Sequence, residues 1–566
     1  MNKSNFITVL FLLCMTYASF DVMGQAGDTM TLIEKVNLFT DRSLYVAGEQ
    51  VHFSALISSN DQQQDWSQVL YVETISPDGK SIVRNKFPIS GYAAEGCLEI
   101  PAEIISGVYY LRAYTKYMRN QGPSSYAYAM IKIVNPFREE VMDGEETIEL
   151  KTVENNQGGL LKISLDKSDY ATREVVNVRV EPLPPSASAE KLWRSQKGGI
   201  AMSVSVIPES SSSEFIQPRI VVENNSKHLV FYPETRGVSI TGEVNDASGN
   251  ALAGAKVNLS IVGQGRDFMA VTTDSSGRFF ISLPAYMGFR DLFLFAEKDS
   301  VLKPQVLVNN DFCSIPVHLT SPEFTLSADE RNTVLAMAHN IRISTGFDLD
   351  SIPCSSTSET TDVPFYGVPT DVIYFDEYIP LPTLEEYFDE LGTAVKVKKQ
   401  NGLNYFKVIG TQPELEYFDP LVLVDWVAVN NIEKILAAPP PTIDRIEIVN
   451  VPYVKGGVTY GGIISIISKR GDFSGIDLPT SGVFLNYQGL ADNCICPVIE
   501  TDTLNLPDAR NLVYWNPHLA LDASNNAQFS FKTPDTPGRY SIVMNGVDGD
   551  GKKWRQSMEF VVKEQE

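Results

Sequence analysis

The sequence is poor in histidine and in basic residues. Its 566 residues include 5 His, and 46 Lys and Arg stand against 70 Asp and Glu, which gives a formal net charge of -24 at pH 7. Nucleic-acid binding needs clusters of Lys and Arg to neutralise phosphates, so we expect no nucleic-acid partner. The acidity by itself is typical of a soluble protein.

The scarce histidines also argue against metal chemistry. The sequence has no HExxH pair and no second His at metal-ligand spacing. The five are His52, His228, His318, His339 and His518. We therefore predict no metal site, and we interpret His52 as a packed or surface residue of a strand.

Motifs of other enzyme classes are missing as well. There is no GxSxG elbow, no P-loop and no GxGxxG after a predicted strand. Carboxylate pairs such as Glu139-Glu140 and Glu385-Glu386 carry little information in so acidic a chain. We expect no catalytic residue, no cofactor and no enzymatic activity.

Cysteine is too scarce for a disulfide framework. Beyond Cys14, the cysteines are Cys97, Cys313, Cys354, Cys494 and Cys496. The pair at 494 and 496 is too closely spaced for a CxxC redox motif and lacks a second pair for zinc. One cysteine of this pair can form a disulfide with Cys354 or with Cys313, and the sequence does not decide between these alternatives.

Long hydrophobic runs are missing from most of the chain. The N-terminus has Lys3, an apolar run over 6–15 and small residues before Gly24, the pattern of a secretory signal peptide cleaved after Gly24. No later segment reaches 18 uninterrupted apolar residues, so we predict no transmembrane segment. Cys14 follows Leu13 and not Gly or Ala, so we do not expect lipidation. The prediction is an exported protein, periplasmic or associated with the outer membrane, with the cell surface also open.

What the sequence does contain is a series of short strands. In residues 28–137, runs such as VHFSALI (51–57) alternate with turn residues, which predicts an antiparallel β-sandwich. The stretch VNLFTDRSLYVAGEQVHFSALI resembles the opening of a macroglobulin domain. We expect its Asp41 and Arg42 to form a turn cap and a salt bridge.

Two further segments resemble the same domain. LKISLDKSDYATREVVNVRVE (161–181) repeats the order of strand, Asp-Lys, Tyr, turn and strand, and it indicates a second macroglobulin-like sandwich over 148–237. The strand patterns between Leu512 and Val562 indicate a C-terminal one over 475–566. The activity of such proteins depends on a Cys-Gln thioester, but the nearest sequence, Gly96 to Ile100, lacks the Gln. The resemblance therefore implies a fold and not that activity.

Residues 238–320 resemble a carboxypeptidase regulatory-like domain, a small β-sandwich without peptidase machinery. The resemblance rests on VSITGEVNDASGNALAGAKVNLSI, followed by VTTDSSGRFFISL. Asp246 and Asp274 have the oxygens that calcium prefers, but their positions favour turn capping.

A helix and a linker are predicted over 321–371. Ser327 followed three residues later by Glu330 is a capping-box pattern, and the apolar residues that follow have helical spacing. The serine- and threonine-rich run 355–362 indicates a linker.

Residues 372–474 resemble the plug domain of TonB-dependent receptors. The resemblance is strongest over PLVLVDWVAVNNIEKILAAPPPTIDRIEIVNVPYVKGGVTYGGIISIISKRG (420–471). A receptor barrel has about 22 strands of roughly 9 to 11 residues, and only 95 residues (566 minus 471) follow Gly471. We therefore predict a plug-like domain without a barrel. Its Tyr453 and paired glycines (Gly456-Gly457 and Gly461-Gly462) are expected to meet backbone requirements and not to contact a substrate.

Together these patterns predict a mostly β protein of tandem antiparallel β-sandwich domains, macroglobulin- or Ig-like, with a small α+β plug-like domain. The arrangement resembles exported proteins of Bacteroidetes-type envelopes. It implies a non-enzymatic binding or adaptor scaffold whose plug-like domain docks on an outer-membrane partner. The alternative is a macroglobulin-type factor without a thioester, which binds proteases or host proteins through a bait-like loop at Ser351–Val363.

Overall fold

The protein is mostly β. The computed structural model describes residues 32–60, 66–144, 161–182, 202–212, 216, 218–222, 231–263, 266–298, 303–347, 364–392, 394–400, 402–491, 506–522, 526–548 and 551–564. The predicted signal peptide, the 355–362 linker and the bait-like loop lie outside these residues.

The first sandwich has two packed sheets with the strand orders β1-β3-β6 and β2-β8-β7-β4-β5. Its strands are β1 (Glu34–Thr40), β2 (Leu44–Val46), β3 (Gln50–Ser59), β4 (Val69–Ile75), β5 (Ser81–Pro88), β6 (Ala93–Glu99), β7 (Gly107–Thr115) and β8 (Ala127–Val134). All pairs are antiparallel except β2 with β8. Phe53, Tyr71 and Tyr110 are completely buried, and the Tyr71 and Tyr110 hydroxyls reach Glu234 and Thr320 O in the segments that flank the third sandwich. The predicted sandwich in this region is present.

Four strands follow in the next described segments. They are β9 (Leu161–Leu165), β10 (Asp169–Ala171), β11 (Val175–Pro182) and β12 (Met202–Pro208). β9 and β11 are antiparallel neighbours, but β10 and β12 join a different sheet. These strands alone do not complete a sandwich.

The third group of strands forms a small sandwich and one separate pair. The strands are β13 (Ile220–Val222), β14 (Ser239–Asn245), β15 (Lys256–Val262), β16 (Phe268–Thr272), β17 (Arg278–Ser282), β18 (Phe289–Glu297), β19 (Gln305–Val308) and β20 (Val317–Leu319). β13 pairs with β20, while β17-β14-β19 and β16-β15-β18 form the two layers. Val257, Leu259 and Ile261 on β15 are fully buried, and Asn258 and Ser260 between them are buried as well.

The first and third sandwiches are joined by a buried network of charged residues. Lys86 Nζ lies 2.5 Å from Asp311 Oδ2, and Lys116 Nζ lies 3.0 Å from Asp311 Oδ1 and 3.6 Å from Glu234 Oε1. The two ammonium groups hold the pKa of Asp311 at about 2 despite its burial. Because an uncompensated buried charge is costly, this network fixes how the two sandwiches sit against each other.

A single long helix, α1 (Ala328–Gly346), follows the third sandwich. Ser327 accepts a hydrogen bond from Glu330 N, and the Glu330 side chain accepts one from Ser327 N, so the predicted capping box is confirmed. Val334 and Met337 of α1 pack on β2 and β8 of the first sandwich.

An α+β unit comes next. Its elements are β21 (Asp371–Tyr374), α2 (Leu384–Glu390), β22 (Val395–Gln400), β23 (Leu403–Val408), α3 (Glu414–Tyr417), β24 (Leu421–Val424), β25 (Val427–Ala428), α4 (Ile432–Leu436), β26 (Ile443–Val449), β27 (Tyr453–Lys455), β28 (Val458–Tyr460) and β29 (Ile463–Ser468). The central sheet has the order β21-β26-β29-β24-β25, in which only β24 and β29 are parallel. The mixture of helix and strand agrees with the prediction for this region.

The last strands return to earlier parts of the molecule. They are β30 (Val483–Gln488), β31 (Tyr514–Leu519), β32 (Ala527–Lys532), β33 (Gly538–Val547) and β34 (Lys553–Lys563). β30 adds an edge strand to the third sandwich by pairing with β18. This strand lies in the segment that we predicted as part of a C-terminal sandwich.

The second sandwich is built from both halves of the chain. Its sheets have the orders β9-β11-β32 and β10-β34-β33-β12-β31. The prediction of separate sandwiches over 148–237 and 475–566 is therefore wrong, because each segment supplies four strands to one sandwich. Residues 209–513, which carry the third sandwich, α1 and the α+β unit, are inserted between β12 and β31.

The second sandwich repeats the first strand for strand. In both, the second strand crosses to the other sheet and runs parallel to the last strand. Tyr45 OH donates to Asp41 Oδ1 at 2.7 Å in the first, and Tyr170 OH donates to Asp166 Oδ1 at 2.5 Å in the second. The local similarity noted between the two sequences thus corresponds to the same turn.

The two sandwiches share a second contact, in which a tyrosine hydroxyl donates to the backbone carbonyl four residues earlier. Tyr109 OH on β7 donates to Ile105 O at 2.9 Å, and Tyr540 OH on β33 donates to Thr536 O at 2.9 Å. Each tyrosine follows a strand-opening glycine by two residues. β33 is therefore the counterpart of β7, which identifies β31 to β34 as the second half of this fold.

Candidate functional site

The described residues contain no metal-binding cluster. Within the ranges given above, no group of three or more His, Cys, Asp and Glu residues is arranged to hold a metal ion. His52 is buried, and burial together with the charge of Arg42 lowers its pKa to about 4. His518 pairs with Glu95 at 3.4 Å. His318 is on β20 and His339 on α1, so the histidines are not brought together, and His228 lies outside the described residues.

The residues at the first turn act structurally, as predicted. Arg42 forms ion pairs with Asp41 at 3.2 Å and with Glu49 at 2.7 Å, all buried. Asn511 Nδ2 donates to Glu49 Oε1 at 2.7 Å and to Met337 O at 3.1 Å. This turn therefore also ties α1 and the C-terminal half to the first sandwich.

Asp246 and Asp274 cap turns. Asp246 Oδ1 accepts hydrogen bonds from Ser248 N and Asn250 N at 2.8 and 2.9 Å. Asp274 Oδ1 accepts bonds from the backbone nitrogens two and four residues later, at 2.8 and 2.9 Å. These contacts agree with the preferred interpretation from the sequence.

Two of the cysteines, Cys97 and Cys313, lie in the described residues. Cys97 lies on β6 and is disulfide-bonded. Cys313 is buried and free, which excludes the open alternative of a bridge to Cys313. Cys354, Cys494 and Cys496 lie outside the described residues.

Both faces of the central α+β sheet are covered. On one face, residues such as Val424, Ile446 and Ile466 pack against the helices of the unit. On the other face, Leu423 and Ile463 pack against aromatic residues of the third sandwich. The flat faces of this sheet are therefore unavailable to another molecule.

Polar contacts fix the unit to the third sandwich. Lys455 Nζ lies 3.1 Å from Asp267 Oδ1, and the Arg266 guanidinium stacks 3.5 Å from the ring centre of Trp426. Gly456 has a φ of +58°, and an added Cβ would lie 1.8 Å from Ala270 O. Only glycine allows this approach, so Gly456 meets a backbone requirement, as expected for it from the sequence.

The exposed surface of the unit is unusually apolar. Of the 24 large hydrophobic residues exposed in the described part of the chain, ten lie between 364 and 478. Four of them lie on segments that meet at one end of the central sheet. We call these four the end patch: Ile409, Tyr417, Phe418 and Val451.

The geometry of the sheet assembles the end patch. β24 and β29 begin at this end and β26 ends there, so the segments before and after them meet. Gly461 N donates to Asp419 O at 2.9 Å, which places the Tyr417–Asp419 segment against the start of β29. An added Cβ on Gly410 would lie 2.7 Å from Asn450 O, so the segments that carry Ile409 and Val451 also touch.

Acidic residues flank the two aromatic residues of the end patch, and the Lys407 ammonium group also lies there, donating to Glu416 O. Glu414, Glu416 and Asp419 are all exposed, and Tyr417 is 81% exposed between them. The arrangement fits a partner that presents apolar side chains rimmed by Lys or Arg. This surface was not predicted from the sequence, although two adjacent aromatics in the polar stretch QPELEYFDP are a signal of it.

Comparisons with known proteins return distant structural likenesses. No family model matches the sequence, and no curated protein matches it. Alpha-2-macroglobulin of Escherichia coli activated by porcine elastase is 9% identical with a TM-score of 0.23, over 94% of this chain and 44% of that one. The D0-D1 domain of intimin is 11% identical with a TM-score of 0.15, over 49% of this chain and 98% of that one. Dimeric latent PorU from Porphyromonas gingivalis is 10% identical with a TM-score of 0.15, over 52% of this chain and 34% of that one.

This chain thus spans less than half the length of the macroglobulin. At these TM-scores the fold description rests on the strand topology itself. None of the helices in the described residues is both long and apolar enough to cross a membrane.

Proposed function

We propose that this protein is an exported, non-enzymatic binding scaffold of the cell envelope that docks on an outer-membrane partner through the end patch. The observation that carries the proposal is the exposure of Ile409, Tyr417, Phe418 and Val451 at one end of the sheet, with acidic residues beside the aromatic pair. Contiguous exposed apolar surface with a polar rim is typical of interaction sites.

The packing of the α+β unit, which carries the end patch, against the sandwiches supports a scaffold role. The α+β unit is packed on the third sandwich, which the buried Lys86, Lys116 and Asp311 network fixes to the first. A preorganised surface loses little conformational entropy on binding. The rest of the molecule would hold the end patch in a defined orientation.

Export is part of the proposal. It is supported by the basic, apolar and small-residue regions before Gly24. The scarcity of catalytic motifs supports a binding role over an enzymatic one.

The experiment is a capture assay with the purified mature protein and solubilised outer membranes. We expect the double variant Tyr417→Ser, Phe418→Ser to bind the captured partner at least about tenfold more weakly. The reason is that aromatic anchors contribute roughly 2 kcal/mol or more in an interface. Tyr232→Ser is the matched control, since Tyr232 is 62% exposed outside the α+β unit. Equal capture by wild type and by the double variant would refute docking through the end patch.

Limited proteolysis of the same purified protein distinguishes the scaffold from the macroglobulin-type alternative. Limited proteolysis with retention of the protease after cleavage within Ser351–Val363 would favour that alternative. Nicking without retention, together with capture that depends on Tyr417, supports the scaffold.

A further inference from the structure

The antiparallel pair β22 and β23 is positively charged in a strongly acidic protein. Between positions 391 and 413 the sequence contains no Asp or Glu, whereas the whole chain has a formal net charge of -24. The same stretch contains four lysines, namely Lys396, Lys398, Lys399 and Lys407. The two strands therefore have no acidic residue of their own to neutralise these ammonium groups.

The two strands place different residues on their two faces. On the inner face, Val395, Phe406 and Val408 are buried in the core of the α+β unit, and the Phe406 ring lies 4.8 Å from the ring of Phe388 in α2. Successive side chains of a strand point to opposite faces, so the residues between these form the outer face. We call this outer face the ribbon face, and its residues are Lys396, Lys398, Leu403, Tyr405 and Lys407.

The lysines of the ribbon face are neighbours across the two strands. Lys396 is directly opposite Lys407 in the antiparallel register, and Lys398 is directly opposite Tyr405. Like charges at directly opposite positions are unfavourable. Lys407 Nζ donates to Glu416 O, but the ion pairs formed within the described part of the chain do not involve Lys396 or Lys398. An anion outside the protein would relieve this repulsion.

Apolar side chains accompany the lysines on the same face. Leu403 is 66% exposed at the start of β23, and Tyr405 is half-buried two residues later. Ile409 N donates to Ala394 O at 2.7 Å, which extends the strand pairing by one step, and the Ile409 side chain is 44% exposed. Ile409 belongs to the end patch, so the ribbon face and the end patch adjoin each other.

A lipid bilayer surface fits this combination better than an acidic protein segment. Lys side chains can keep their apolar stems on an apolar surface while the ammonium groups reach phosphates, and Tyr is enriched at the boundary between headgroups and hydrocarbon. Binding to such a surface depends on both buried apolar area and attraction to anionic lipids. An acidic protein segment would neutralise the lysines but would give Leu403 no apolar environment.

We propose that the ribbon face binds the surface of an anionic lipid bilayer. Lys396, Lys398 and Lys407 pair with the lipid phosphates, and Leu403 inserts between the headgroups. Because the ribbon face adjoins the end patch, this lipid contact lies beside the protein contact of the proposed function. The inference goes beyond that function, since lipid binding requires no protein partner.

The test is flotation of the full mature protein with vesicles made of equal parts of phosphatidylglycerol and phosphatidylcholine. Vesicles of phosphatidylcholine alone are the neutral probe. We expect at least about tenfold tighter binding to the anionic vesicles, because each lysine near an anionic surface contributes a factor of roughly five. Raising the NaCl concentration to about 0.5 M should remove most of this difference, since salt screens the attraction.

Single substitutions locate the binding surface. Lys396→Gln and Lys398→Gln should each weaken binding to the anionic vesicles about fivefold. Leu403→Ser should weaken it at least about threefold, because the leucine side chain no longer leaves water. Lys162→Gln is the matched control, since Lys162 is exposed on β9 of the second sandwich and makes the same change in charge. Its binding should stay within about twofold of wild type.

Equal binding to the two kinds of vesicle would overturn the proposal. So would binding that is unchanged in Lys396→Gln, Lys398→Gln and Leu403→Ser. A blocked peptide of alternating Ala and Glu residues is the second probe, and binding of this peptide but not of anionic vesicles would identify a protein-binding face and also overturn the lipid assignment. The vesicles contain no protein, so a failure to bind them leaves docking through the end patch standing.

Discussion

Individual polar residues in this protein mainly connect parts of the chain that are distant in sequence. Arg112 and Glu73 form a completely buried ion pair at 2.6 Å between β7 and β4. Asn511 joins the first turn to α1 in the same way. Because a buried charge or amide without a partner is costly, such residues specify how segments that are distant in sequence pack together.

His52 gives a prediction at this scale. Its pKa is about 4 in the folded protein and near 6.5 when exposed. As pH falls through 6.5, the unfolded chain binds a proton first, so folding loses stability down to about pH 4. Between pH 7 and 4 the first sandwich should lose about 3 kcal/mol more in wild type than in His52→Gln.

Hydrogen exchange of the β3 peptide, followed by mass spectrometry at each pH, measures this difference. His318→Gln is the control, because His318 is exposed. A pH dependence that is the same in His52→Gln and wild type would contradict the buried, neutral state of His52.

At the scale of elements, the predictions from sequence are correct where the structure depends on contacts between residues close in the chain. The capping box of Ser327 and Glu330 and the turn caps at Asp246 and Asp274 involve residues within four positions of each other. Their geometry follows from side chain and backbone alone. The end patch was missed because exposure depends on how three separated segments meet.

The start of α1 provides a separable prediction. Ser327→Ala removes the cap and should destabilise α1 by about 1 kcal/mol. Glu330 also pairs with Lys132 of β8 at 2.7 Å. Glu330→Gln keeps an acceptor for the capping box but loses this ion pair, so it should cost less, within about 1 kcal/mol for a partly exposed pair.

Hydrogen exchange over 328–335 checks both variants. The Ser327→Ala variant should exchange faster in the first turn of α1. Unchanged exchange there would show that packing on the first sandwich, and not the cap, holds the start of the helix.

At the scale of the whole molecule, the main feature is a sandwich divided by a long insertion. β11 pairs with β32 although some 350 residues separate them, through Val176 with Phe531 and Val178 with Phe529. Strand pairing at such separation leaves no local trace, so the sequence indicated two sandwiches. The number of strands was the sequence signal for a shared sandwich, because each segment has only half as many strands as a complete sandwich.

Excision tests this architecture. A chain of residues 161–212 and 506–564, joined by a short Gly-Ser linker, should fold as one eight-stranded sandwich with a cooperative thermal transition. The separate segments 148–237 and 475–566 should each be unfolded, because each lacks half of the strands. Circular dichroism and thermal unfolding measure this, and independently folded segments would refute the shared sandwich.

The most direct test of the scaffold role places a photo-crosslinking amino acid at position 417 in cells. We expect an adduct with one outer-membrane protein that is absent when the crosslinker replaces Tyr232, which is exposed elsewhere. The same adducts from both positions, or none from position 417 in exported protein, would contradict it.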